Sequence, residues 1–219
     1  MKFSQSSGRL AGSTFSPVIV PPVLVPPVLV ALALLALGVA APAQAHHVME
    51  LRGLPPSPMT GLLSGLAHPV LGPDHLLFLC SLSLVGFQQR KRWVVALLLT
   101  GLLGSMVGLQ LPGLPYAEAA VAFSLVVVAL VCLRHWPRAL LLPAIALHGY
   151  VLSNTVLGWS QGPLVFYALG LLLSQAALLL LAFTLLRSLV DGLGAQRRAL
   201  LCAGLLGCGA AWTFSALVA

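Results

Sequence analysis

Apolar stretches dominate the chain, and the polar residues between them come in short clusters. A bilayer-spanning helix needs about 20 mostly apolar residues. Beyond residue 46 six stretches meet that length, at about 60–87, 93–111, 116–133, 139–157, 164–186 and 199–218. The connections 88–92, 112–115, 134–138, 158–163 and 187–198 are short. Short connections predict that consecutive helices pack antiparallel in a compact bundle. The expected fold is therefore all-α: a polytopic membrane protein with six transmembrane helices in one domain, 46–219, and no soluble domain.

The first 45 residues read differently. Lys2 and Arg9 form a basic start, Val28 to Ala41 an apolar run, and Ala43-Gln44-Ala45 a small-x-small cleavage site. That is the layout of a secretory signal peptide. Prolines between Pro17 and Pro27 argue against a stable spanning helix there. Cleavage leaves a chain that starts at His46 outside the cytoplasm.

Composition agrees with a membrane protein. Of 219 residues, 59% are hydrophobic and 7% charged, against roughly 25% charged in a soluble domain. This excludes a cytosolic enzyme, a nucleic-acid-binding domain and a disordered chain. The net charge of +7 is mainly a topology signal. Arg90, Lys91, Arg92, Arg134, Arg138, Arg187, Arg197 and Arg198 all fall in or beside the first, third and fifth connections, against Arg52 on the other side. The positive-inside rule then puts those connections in the cytoplasm and both mature termini on the periplasmic face of the inner membrane.

Ionisable groups inside spans are expensive and are functional candidates by default. Here they are His68, Asp74 and His75 in the first span, Glu118 at the start of the third, and His148 in the fourth, with the amide of Gln175 in the fifth. In an unbroken helix His68 and His75, seven residues apart at about 100° each, share a face and Asp74 does not. Pro69, Gly72 and Pro73 predict a broken or widened helix. A broken helix lets all three groups converge, and irregular backbone at membrane depth is tolerated where it lines a cavity. Two imidazoles and a carboxylate without thiolate suit a divalent first-row cation, with nickel or cobalt prominent. Alternatively, these groups only hydrogen-bond to one another and hold a kink. Glu118 either favours its helix dipole or attracts cations at the outer surface. The four cysteines lack metal-site spacing and read as buried apolar thiols.

The stretch His68-Pro69…Gly72-Pro73-Asp74-His75-Leu76-Leu77 resembles the His-Pro-x-x-Gly-x-Asp-His-Leu-Leu signature of the HupE/UreJ family. These are membrane proteins associated with hydrogenase and urease and regarded as nickel permeases. The segment from Tyr116 to Ser124 is similar to the family's Glu-containing third span, and Leu147-His148-Gly149-Tyr150 to its Phe-His-Gly segment. The resemblance implies metal-binding roles for His68, Asp74, His75, His148 and, more weakly, Glu118. The chain departs from the family pattern after His148, where Val151-Leu152-Ser153-Asn154-Thr155 holds no acid.

The expected function is uptake of Ni2+, or a similar ion such as Co2+, for a metalloenzyme. His46, His47 and Glu50 would gather the ion outside. No P-loop is present, so gradients or a partner would supply any energy. The rival reading is a b-type haem electron carrier with His75 and His148 as axial ligands. An intramembrane hydrolase using Ser64, Ser81 or Ser83 lacks a nucleophile motif. The signal-peptide reading makes a direct prediction. N-terminal sequencing of the protein recovered from membranes should begin at His46, and a chain that retains Met1 contradicts it.

Overall fold

The computed structural model describes residues 55–218, all of them helical or connecting, with no strand among the described residues. The signal peptide, His46, His47, Glu50 and Arg52 lie outside the described residues.

Helix α1 covers Pro58–Leu71 and opens on a reciprocal cap. The Ser57 side chain accepts from the Thr60 amide at 3.2 Å, and the Thr60 hydroxyl oxygen accepts from the Ser57 amide at 2.8 Å. Two amides that no helical carbonyl can reach are thereby satisfied. The helix stops at Gly72, whose backbone is extended, and α2, Pro73–Ser81, begins at once. Proline drives the residue before it out of the helical region, while its own fixed φ suits a helix start. Pro69 lies inside α1 and has no N–H for the Gly65 carbonyl one turn back. The Ser174 hydroxyl, from a distant helix, donates to that carbonyl at 3.2 Å, sharing its proton with the Leu171 carbonyl.

A single 3-10 turn, Leu82–Leu84, leads on to α3, Arg90–Gln110, and then α4, Ala117–Arg134. Helix α5, Leu141–Ser153, has 3-10 turns at both ends. Helix α6, Gln161–Leu181, passes through a π-helical turn, Ala182–Leu186, into α7, Arg187–Asp191. Helix α8, Ala195–Val218, closes the described chain.

Five helical stretches are long and apolar enough to cross a membrane: Arg90–Gln110, Ala117–Arg134, Arg138–Val156, Gln161–Asp191 and Ala195–Val218. The expected first span is broken at Gly72 into two pieces of 14 and 9 residues, as its prolines predict. At about 1.5 Å rise per residue neither crosses a hydrocarbon core alone. Large apolar side chains cover the outside of the bundle, among them Leu99, Leu103, Met106, Leu173 and Phe214. Five apolar helices of that length make the chain an integral membrane protein. All four cysteines are free thiols, Cys202 buried and Cys80, Cys132 and Cys208 partly so.

Consecutive helices are not the main partners, contrary to the expectation from short connections. The extensive contacts join α1 to α6, α3 to α5 and α4 to α8; of the consecutive long helices only α4 and α5 pack substantially. Glycine explains the choice. A Cβ on Gly65 would strike the Tyr167 carbonyl, and one on Gly170 the Leu62 carbonyl. On the α3–α5 face a Cβ on Gly104 would strike the Ala146 carbonyl, and one on Gly149 the Gly101 carbonyl. Backbones approach to contact there, as small residues allow between membrane helices. Ser105 adds a hydrogen bond to the Gly149 carbonyl at 2.9 Å. Gly61 meets Pro163, while Gly65 meets Tyr167 and Leu171, so α1 and α6 run parallel. The same progression from Gly101–Ile145 to Gly108–Tyr150 makes α3 and α5 parallel.

At one end of the bundle Arg187 donates to the Ser83 carbonyl at 3.2 Å and pairs with Asp191 at 2.6 Å. Arg90 donates to the Phe183 carbonyl there at 3.3 Å. At the other end the Tyr150 hydroxyl donates to the Leu111 carbonyl at 2.7 Å and accepts from the Leu114 amide at 2.9 Å.

Two glycines of α6 provide a matched test. Gly170 has no room for a Cβ, whereas one on Gly162 meets nothing within 4 Å. Gly170→Ala should destabilise the detergent-purified protein by about 1–3 kcal/mol, and Gly162→Ala should leave it unchanged or up to about 1 kcal/mol more stable. Thermal unfolding of the two variants side by side checks this. Equal melting temperatures contradict the packing account.

Candidate functional site

The break at Gly72 puts Asp74 and His75 in the first turn of α2. There the Asp74 carboxylate accepts from the His75 backbone amide at 2.9 Å, filling one of the unpaired amides that every helix start exposes. The carboxylate also stands 3.7 Å from His75 Nδ1. Helix α2 packs against α4 and α6. Its His75 meets His148 of α5 in the interior, Nδ1 to Nδ1, at 2.6 Å.

The hydrogen-bond chain around these rings assigns their tautomers. The Ser124 hydroxyl lies 2.6 Å from the Val121 carbonyl, a pure acceptor, so its only proton goes there. Ser124 Oγ is also 2.8 Å from His148 Nε2, so it accepts from that nitrogen. His148, when neutral, then has its lone pair on Nδ1, and His75 donates to it from its own Nδ1. The lone pair of His75 is left on Nε2. Phe78, one turn beyond His75, stacks on His148 with ring centroids 4.3 Å apart and fixes the ring plane.

His68 lies in the last turn of α1, its ring centroid 5.9 Å from that of His75. Its Nδ1 is 3.1 Å from the Tyr167 hydroxyl of α6. That hydroxyl donates to the Leu152 carbonyl at 2.6 Å, so it accepts from His68.

Four of the five candidate residues, His68, Asp74, His75 and His148, are thus buried around one helix break. Glu118 is apart from them. It is exposed in the first turn of α4 and shares no hydrogen bond with the histidines among the described residues. Among the described residues no three of His, Cys, Asp and Glu are already grouped as metal ligands. The distances give the reason. An ion sits about 2.0–2.1 Å from each imidazole nitrogen, and two nitrogens sharing a proton at 2.6 Å leave no place between them. Holding an ion requires the rings to part and the shared proton to leave.

Haem ligation would likewise require the rings to part, since axial ligands stand on opposite faces of a flat macrocycle and these two rings are bonded directly. A serine hydrolase needs a histidine that takes the serine proton, and Ser124 gives its proton to the backbone. Ser81 likewise bonds back to the Phe78 carbonyl at 2.7 Å. Ser124, Phe78 and Tyr167 were not singled out from the sequence. Phe78 falls three residues after His75 and Ser124 six after Glu118, but Tyr167 has no local signal at all.

The family model for HupE / UreJ protein matches residues 32–212, which includes every residue of this site. This chain belongs to the HupE/UreJ family. HupE/UreJ members are accessory and transport proteins associated with nickel and cobalt transport, not enzymes. No curated protein and no solved structure matches the chain.

The tautomer assignment is open to direct measurement. Nitrogen-15 shifts of labelled imidazoles should show His148 protonated at Nε2 and His75 at Nδ1. Ser124→Ala should shift the His148 signals most. A His148 ring protonated at Nδ1 contradicts the bonding scheme.

Proposed function

We propose that this HupE/UreJ protein is an inner-membrane permease that carries Ni2+, or a similar divalent ion such as Co2+, from the periplasm to the cytoplasm. The observation that carries the reading is the meeting of His75 and His148 inside the bundle, one on a broken helix and one on a continuous span. Imidazoles are borderline-soft metal ligands, and ionisable groups buried inside a membrane bundle are functional candidates by default.

In this reading α1 and α2 together make a first, interrupted crossing, for six in all. The parallel course of α1 and α6 supports it, because an even number of crossings then separates their starts. The basic residues at the Arg90–Arg187 end face the cytoplasm, and the Tyr150 end faces the periplasm. Exposed Glu118 lies at the periplasmic end and draws cations toward the site. The ion exchanges water for His75 and His148, with Asp74 offsetting its charge and His68 as a further nitrogen ligand. Protons compete for the same lone pairs, so uptake weakens as the external pH falls. A gradient or a partner supplies the driving force.

Uptake of radiolabelled nickel by expressing cells tests the proposal. His75→Ala and His148→Ala should each lower the rate about tenfold or more. His135→Ala, an exposed position past the end of α4, should not. Excess cobalt should compete. Uptake no higher than in cells lacking the protein, at normal expression, overturns it.

A further inference from the structure

Gln175 of α6 is 2% exposed, and its carbonyl oxygen has no hydrogen-bond partner. It belongs to none of the bonds around the histidines. Water cannot rescue a polar group inside a bilayer, so an unpaired one there calls for an explanation.

The position of this oxygen is informative. It lies 3.2 Å from where a Cβ on Gly101 would stand, and Ile145 Cγ1 lies 3.6 Å from the same point. Glycine at 101 therefore lets the oxygen lie close against α3, where a side chain would crowd it. Ile145 precedes His148 by three residues, so the two share a face of α5 and Gln175 sits about one turn below His148. Below here means toward the end that holds Arg90 and Arg187. One further turn that way, four residues along each helix, come Leu97 of α3, Leu141 of α5 and Leu179 of α6. All three are completely buried and belong to one apolar cluster. The interior is thus layered: histidines, then one unpaired oxygen, then a leucine seal.

We infer that Gln175 is a second, oxygen-donor binding position for the divalent ion, between the histidine pair and the leucine layer. The inference rests on the permease reading above. A carbonyl oxygen binds a partly hydrated divalent cation more weakly than imidazole does. That difference suits a stop from which the ion must leave again. The Gln175 oxygen takes one coordination place as His148 releases it, and the ion waits there until the leucine layer parts.

Two measurements on the purified full-length protein test this: equilibrium Ni2+ binding in detergent, and the initial rate of Ni2+ uptake into proteoliposomes. Gln175→Leu should bind Ni2+ as wild type does, because the histidines remain, while its uptake rate falls about tenfold. Gln175→Glu, which keeps an oxygen ligand, should retain more uptake than the leucine variant. Gln175→Met is the replacement if the leucine variant does not fold, judged by its melting temperature. Wild-type uptake that Gln175→Leu or Gln175→Met leaves unchanged overturns the inference alone. Loss of binding in parallel with uptake, in a folded variant, also overturns it, since Gln175 then belongs to the histidine site itself. No uptake by wild type overturns the permease reading, and the inference with it.

Discussion

Pro73 cannot continue the helix that starts at Pro58, and the site depends on that one backbone constraint. The proline pushes Gly72 into an extended conformation and starts a new helix in the same step. An unbroken helix would turn Asp74 away from the face that His68 and His75 share. The break instead puts Asp74 and His75 into a first turn, where the carboxylate satisfies a backbone amide and His75 reaches α5. Breaking a helix within a bilayer strands backbone groups. The Ser174 hydroxyl of α6 answers the carbonyl that Pro69 leaves unserved, so α6 supports the broken segment chemically as well as by packing.

The partner histidine is placed by different means. Helix α5 lies against α3 through Gly101, Gly104 and Gly149, at backbone contact. Gly149 directly follows His148, so the close approach that anchors α5 also fixes where the imidazole stands. Phe78 and Ser124 then hold the ring in plane and in tautomer. Metal-binding histidines commonly donate their second ring nitrogen to a fixed partner. His148 has such a partner in Ser124, and His68 in Tyr167.

The candidate residues were legible in the sequence because charge is so scarce there that each buried titratable group stands out. The helix break was legible too, since Pro69, Gly72 and Pro73 act on their immediate neighbours. What could not be read was the pairing of helices. Small residues say that a helix packs closely but not against which other one, and short connections pointed to consecutive partners. In α8 Gly209 sits tightly against Leu125 and Val126 of α4, a partner that nothing in the local sequence names. Tyr167 was invisible for the same reason. Its bond to His68 spans 99 residues and exists only because α6 returns to α1.

The central claim of the proposed permease is that the two imidazoles that share a proton in this structure hold the transported ion. X-ray absorption at the nickel edge of the purified, nickel-loaded protein tests that claim most directly. The account predicts a first shell of nitrogen and oxygen with the multiple-scattering pattern of two or more imidazoles, reduced by one in both His75→Ala and His148→Ala. A sulfur-containing shell, or an imidazole count that neither substitution changes, contradicts it.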